Sequence, residues 1–194
     1  MSKSRSLERP PVSELKEELK RERYRSKYGR ILRNTVFTLI VVAAVTVLAA
    51  TLLFPVMRIF GSSMTPTLQE GEIVVAIKSS SFQAGDIIGF YYGNKLIVKR
   101  CIAGPGDWVN ITEDGTVYIN GEELDEPYLV EKALGDCDIE LPIQVPEDQY
   151  FVMGDHRSTS VDSRNTVIGC IAKEQIVGRI ALCVWPLPKF GKLN

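Results

Sequence analysis

Leu96-Ile-Val-Lys-Arg-Cys-Ile102 is a short β-branched and aliphatic run with two adjacent bases at its centre. A run of this length, bounded by turn residues, reads as a strand. With a side-chain period of two, Lys99 shares a face with Ile97 and Cys101, and Arg100 points the other way with Val98 and Ile102. One of the two bases therefore faces something apolar. Upstream, Glu72-Ile-Val-Val-Ala-Ile77 and Asp86-Ile-Ile-Gly-Phe-Tyr-Tyr92 are similar runs, the second joined to Leu96–Ile102 across the hairpin-type pair Gly93-Asn94. Downstream, Asp114-Gly115 and Asn120-Gly121 bracket Thr116-Val-Tyr-Ile119, followed by Tyr150-Phe-Val-Met153 and Gly178-Arg-Ile-Ala-Leu-Cys-Val184. Pro105, Pro127, Pro142 and Pro146 fall between runs, where a missing N–H costs no ladder bond. No internal repeat interrupts this pattern, and the expected fold is mainly β, one all-β unit with short helical turns.

The chain has 194 residues, 23 Lys+Arg against 24 Asp+Glu, and a formal net charge of −1, which gives no electrostatic reason to expect nucleic acid. Its single His excludes a multi-histidine zinc site, and the four Cys lie too far apart for CxxC-type spacing, so neither metal nor cofactor is expected. The near-neutral average hides an asymmetry: residues 1–33 carry a net +6 and the remainder a net −7. Between the two lies Val36–Phe54, 19 residues without a charge, with Thr38, Thr46 and Thr51 as its polar members. A helix of that length spans roughly the 30 Å hydrocarbon core. It is too long for a signal-peptide h-region and lies behind too long an N-terminal segment, so it reads as a permanent anchor. The expected organisation is a basic cytoplasmic tail over residues 1–33, a transmembrane signal-anchor helix over 34–56 and an extracytoplasmic β-rich catalytic domain over 57–194. Arg21, Arg23, Arg25, Lys27, Arg30 and Arg33 crowd the N-terminal flank, against Arg58 on the other side, so the N-terminus stays in the cytoplasm. Ser13 to Arg25 has helical composition, with Leu15 and Leu19 one turn apart and Glu17–Arg21 an i,i+4 pair; it reads as a solvated helix or one touching the membrane lipid.

Polar groups concentrate in three places. Gly61-Ser-Ser-Met-Thr-Pro-Thr-Leu68 follows the span, Lys99 and Arg100 lie within the strand already described, and Gly154-Asp-His-Arg-Ser-Thr-Ser-Val-Asp-Ser-Arg164 follows the Tyr150–Met153 run. Taken singly, the first is a hydroxyl-rich loop and the third a solvated turn with Asp–Arg pairs. Together they resemble the boxes of the type I signal peptidases, membrane-anchored serine proteases that remove signal peptides. Gly61-x-Ser63-Met64-x-Pro66-Thr67-Leu68 is similar to the nucleophile box and Gly85-Asp-Ile-Ile-x-Phe90 to the strand after it. Val98-Lys99-Arg100 with Ile102-Ala-Gly-Pro-Gly-Asp107 is similar to the box of the general base, and Gly154–Arg164 to the last box. The resemblance covers about residues 36–190, in order.

It implies a signal-peptidase or self-cleaving-repressor-like β fold with an N-terminal transmembrane helix, and a Ser–Lys dyad. Ser63 would attack the scissile carbonyl and form an acyl-enzyme, with Lys99 as a neutral general base. An unperturbed Lys is neutral in only roughly one molecule in 2,500 at pH 7, and lowering its pKa by about 3 units costs about 4 kcal/mol. Such a Lys needs apolar surroundings of the kind Ile97, Val98, Cys101 and Ile102 offer. Ser160 would orient the Lys99 amine, and Asp162 with Arg164 would pair to hold the last box rigid, as would Asp155 with Arg157. The Ser63 N–H would bind the oxyanion; Gly61 stands where some members carry a second hydroxyl donor, and Ser62 is the nearest hydroxyl. His156 with Ser63 and Asp155 or Asp162 offers a rival Ser–His–Asp triad, against which the Lys99 box speaks.

Ser63 lies seven residues beyond Val56, at most about 25 Å of chain, which would hold the site near the membrane surface where a translocated signal peptide is cut. The expected partners are signal peptides of exported preproteins, bound by strand addition, with small side chains entering pockets lined by Ile59, Met64 and Val98. Cleavage would follow Ala-x-Ala-type sites. Cys101, Cys137, Cys170 and Cys183 all lie on the expected outer side, where disulfides are permitted; Cys170–Cys183 is the expected pair, with Cys101 a buried thiol. Alternatives are a Ser–Lys peptidase specialised for one secretion or conjugation substrate, and a homologue that binds signal peptides without cutting. Oligomeric state is not legible in the sequence.

Overall fold

The structure, a computed structural model, describes residues 11–193. The first ten residues of the expected basic tail lie outside the described residues. An α-helix, α1, runs from Val12 to Leu53 without interruption, so the two helical stretches read separately in the sequence are one element. No proline occurs between Val12 and Phe54, and Gly29 alone costs only about 1 kcal/mol, too little to break so long a helix. Its end at Leu53, short of the expected Val56, follows from Pro55, which lacks an N–H and disfavours helical geometry at Phe54. Its apolar half is exposed along its whole circumference, and it is long and apolar enough to cross a membrane.

The β domain comprises β1 (Val56–Arg58), β2 (Ile73–Ile77), β3 (Ile87–Tyr92), β4 (Lys95–Ala103), β5 (Trp108–Ile111), β6 (Val117–Ile119), β7 (Glu122–Glu123), β8 (Ile143–Gln144), β9 (Gln149–Met153), β10 (Ile171–Ala172), β11 (Ile176–Trp185) and β12 (Gly191–Lys192). The larger sheet has the order β1-β2-β11-β3-β4-β9-β10, with β12 also on β11; the smaller is β7-β6-β5-β8. Every pairing is antiparallel. The Gly93-Asn94 turn joins β3 to β4, and Asn120-Gly121 joins β6 to β7 with both residues at positive φ, 53° and 87°, as a type I′ hairpin turn requires.

Three apolar clusters form the core. Met57, Ile59, Met64, Leu68, Val74 and Ile87 belong to one; Ile102, Val109, Val117, Phe151 and Met153 to a second; Ile88, Phe90, Cys101, Tyr150 and Val152 to a third. Neighbouring residues of β3 and β4 thus feed different clusters, Ile87 against Ile88 and Cys101 against Ile102. Both faces of these strands are covered, so their sequences read as continuous apolar runs. β4 lies between β3 and β9, with Lys99 opposite Ile88 and Arg100 opposite Met153, and this two-sided burial takes both bases out of water.

Phe151, fully buried in the second cluster, tests this packing. Phe151→Ala is expected to lower the unfolding free energy by about 3–5 kcal/mol, read from denaturant titration of the detergent-solubilised protein. A loss below about 1 kcal/mol would contradict the packing.

Candidate active site

Three segments meet at β4: the loop over residues 61–68, β4 itself, and the loop after β9 over residues 154–165. Lys99 is 3% exposed and donates to Ser160 Oγ at 2.7 Å. It forms no ion pair among the described residues. Desolvation pushes its pKa down, Asp162 pulls it up, Arg164 lowers it and Asp155 raises it, leaving a value of about 8. At pH 7 about one Lys99 in ten is then neutral, against roughly one in 2,500 for a free lysine, at a cost of about 3 kcal/mol.

Gly154 lets the parts converge. A Cβ at this position would collide with both Ser160 Oγ and the Ser63 carbonyl oxygen. Its N–H donates to Asp162 Oδ2 at 2.9 Å, and the next N–H but one, that of His156, donates to the Ser63 carbonyl at 3.0 Å. The backbone of Ser63 and the hydroxyl that holds Lys99 therefore share one glycine as common ground. In the sequence Gly154 carries no signal of this task, because absence of a side chain says nothing until its neighbours are known.

Three buried arginines fix this loop. Arg164 pairs with Asp162 through Nε at 2.8 Å and a second nitrogen at 2.9 Å, and also donates to the carbonyls of Leu134 and Arg157. Burial alone would raise the Asp162 carboxyl, but the hydrogen bonds and charge of Arg164 and the Gly154 N–H outweigh it, holding it below the usual carboxylate range. The expected Asp155–Arg157 pair does not form. Asp155 instead receives Arg100 through two nitrogens, at 2.9 and 2.7 Å, and the Thr67 hydroxyl; Arg157 pairs with Glu126. The Arg100 guanidinium also lies 3.8 Å from the centre of the Tyr128 ring. Thr67, Glu126 and Tyr128 were missed because Asp155, Arg157 and Arg100, which they meet here, lie 28 or more residues away in sequence, and no local period connects them.

Ser63 is half-buried, and among the described residues neither its hydroxyl nor its N–H has a hydrogen-bond partner. It borders a cleft of about 600 Å³ lined also by Ile59, Phe60, Leu96, Ile97 and Val98. Two of the three expected pocket residues, Ile59 and Val98, thus reach the cleft. Met64 does not line it: at 2% exposure it is packed into the first core cluster.

The components of a Ser–His–Asp triad are occupied elsewhere. His156 Nδ1 lies 3.2 Å from Thr65 Oγ1, Asp155 is saturated by Arg100 and Thr67, and Asp162 by Arg164 and Gly154. All four cysteines are free. The expected Cys170–Cys183 bridge is absent because Cys183 belongs to the first core cluster and Cys170 packs against the second. Cys101 is a fully buried thiol whose pKa burial pushes up to about 12. Among the described residues no three His, Cys, Asp or Glu side chains converge as a metal ion would require.

Comparison with known proteins adds the family. The sequence model described as "Signal peptidase, peptidase S26" matches residues 32–185. A signal peptidase I of Bacillus licheniformis is 36% identical over 182 residues, covering 84% of this chain and 95% of the relative. One from Bacillus amyloliquefaciens is 38% identical over 165 residues, covering 79% and 88%. A crystal structure of a signal peptidase I from Enterococcus faecalis V583 is 31% identical, covering 51% of this chain and 96% of that one, with a TM-score of 0.42.

The Lys99 environment can be measured directly. In NMR titration of the ¹³C-dimethylated protein, the Lys99 signal is expected to move with a midpoint near pH 8. A midpoint above about 10, the free-lysine value, would contradict the desolvation described.

Proposed function

The chain belongs to the signal peptidase family, peptidase S26, and from that premise we propose that Ser63 is its nucleophile and Lys99, as a neutral amine, its general base. It is a serine endopeptidase that removes signal peptides from preproteins. The observation that carries the assignment is the buried Lys99 amine, held by Ser160 and paired with no carboxylate among the described residues.

In this reading Ser63 Oγ attacks the scissile carbonyl carbon while its proton passes to Lys99 Nζ. The oxyanion is received by the Ser63 N–H, which has no partner of its own among the described residues. As the tetrahedral intermediate collapses, the C–N bond breaks and Lys99 returns the proton to the departing amine. Water, activated by the again neutral Lys99, then hydrolyses the Ser63 ester. Ser160 positions the amine, and Asp162 with Arg164 holds the loop that carries Ser160. Ile59 and Val98 shape the cleft for small side chains before the cut, as at Ala-x-Ala sites. The charge asymmetry across the apolar helix supports an N-terminus in the cytoplasm, a span within residues 34–56 and a catalytic domain from residue 57 outside, next to membrane lipid.

Cleavage of an Ala-x-Ala preprotein by the detergent-purified chain tests the dyad. Ser63→Ala and Lys99→Ala are each expected to lose at least about 10³-fold in kcat, and His156→Ala to retain clear turnover. Survival of cleavage in Lys99→Ala with its loss in His156→Ala would reverse the assignment. Because the base must be neutral, kcat/KM is expected to rise with pH and level off above about 8. A plateau already reached at pH 6 would exclude Lys99. Gly154→Ala, which forces Ser160 and the Ser63 backbone apart, is expected to cost about 100-fold in kcat.

A further inference from the structure

The loop that carries Ser63 borders two depressions. One is the cleft lined by Ile59 and Val98, in which Ser63 itself takes part. The other, about 230 Å³, is lined by Thr65, Pro66, Val130, Glu131, His156 and Ser158. The chain passes from the first to the second between Ser63 and Thr65, at most about 7.6 Å between Cα atoms. His156 ties the two together, its N–H on the Ser63 carbonyl and its ring on the Thr65 hydroxyl. An extended peptide advances about 3.3 Å per residue, so the second depression begins within about two residues of a bond cut at Ser63. With the residues before the cut in the first cleft, those after it are left for the second.

The charges around this depression leave one uncompensated group. Asp155 and Arg157 also line it, but both are buried and paired, with Arg100 and Glu126. Lys132, the sequence neighbour of Glu131, is paired with Glu123 at 2.9 Å, and the His156 ring faces Thr65. Glu131 is exposed and forms no ion pair among the described residues. Beside it Val130 is 83% exposed, an apolar wall next to a carboxylate.

We propose that this depression receives the first two residues of the mature chain, and that Glu131 makes it favour cationic over anionic side chains there. The proposal rests on Ser63 as nucleophile. Its test uses the full chain in detergent and three preproteins with one Ala-x-Ala site, whose first two mature residues are Ala-Ala, Lys-Lys or Glu-Glu. The readout is the Lys-Lys over Glu-Glu ratio of kcat/KM, each normalised to the Ala-Ala substrate of the same variant, so that a general loss of activity cancels. The wild type is expected to show a ratio of about two to five, the range of an exposed ion pair, shrinking in high salt. Glu131→Gln brings the ratio toward one and Glu131→Lys inverts it. A ratio that Glu131→Lys leaves unmoved, while Ser63→Ala abolishes cleavage, overturns the role of Glu131 alone. Cleavage that survives Ser63→Ala overturns the nucleophile assignment and this proposal with it.

Discussion

An amine buried in a sheet, held by a hydroxyl and forming no ion pair among the described residues, is an expensive arrangement, and much of the domain around it is organised to keep the nearby carboxylates engaged elsewhere. Lys99 loses solvation on entering β4, and a free acid beside it would restore the charge and lift its pKa toward the ordinary value. Two acids act on it, Asp162 and Asp155, and each is already engaged by an arginine. Asp162 raises the Lys99 pKa while Arg164, bonded to that same carboxylate, lowers it, and desolvation is left to decide the outcome. The arginine does more than stiffen a loop: it spends the negative charge that would otherwise hold the proton on Lys99.

The sheet explains how such a site can be built from short strands. β4 has a partner on each side, β3 and β9, and its backbone is registered against β3 at Lys99 and against both neighbours at Arg100. The alternation of a strand then sends the two bases to opposite faces, one to Ser160 and the other to Asp155. β9 ends at Met153 and its chain turns at once into the loop that supplies both acceptors, so one strand pairing sets the distance from the amine to its hydroxyl and from the guanidinium to its acid. Thr67 carries the same network back into the Ser63 loop.

What was legible in the sequence was whatever local geometry decides. The principal strands followed from runs of apolar residues and turn pairs, and the division of Lys99 from Arg100 from a period of two; the Asp162–Arg164 pair came with the resemblance of the last box, in which the two stand two residues apart. The same local logic paired Asp155 with Arg157, and there it failed. Both have better partners brought by topology, Arg100 from β4 and Glu126 from the segment after β7. Burial misled in the same way: Met64 is apolar and next to Ser63, yet the loop turns it into the core and leaves Ile59 and Val98 at the cleft. Cys170 and Cys183 lie on strands or turns near one another in sequence but feed different clusters.

The three buried arginine–carboxylate pairs are therefore poorly explained as sources of stability. Desolvating six charged groups offsets most of what their attraction returns, and well-packed apolar residues of similar volume would often hold such a fold as well. What apolar residues could not supply is direction. Arg164 reaches the carbonyls of Leu134 and Arg157 as well as Asp162, and Arg157 holds the Gly154 carbonyl as well as Glu126. Each guanidinium fixes several backbone groups at once in a plane, which dispersion contacts do not do. The loop so fixed contains Gly154, Ser160 and the N–H that holds the Ser63 carbonyl. Breaking any one pair leaves an unpaired charge in the interior beside the loop that holds the Ser63 carbonyl and the Lys99 amine, so these pairs are better explained by positioning than by stability.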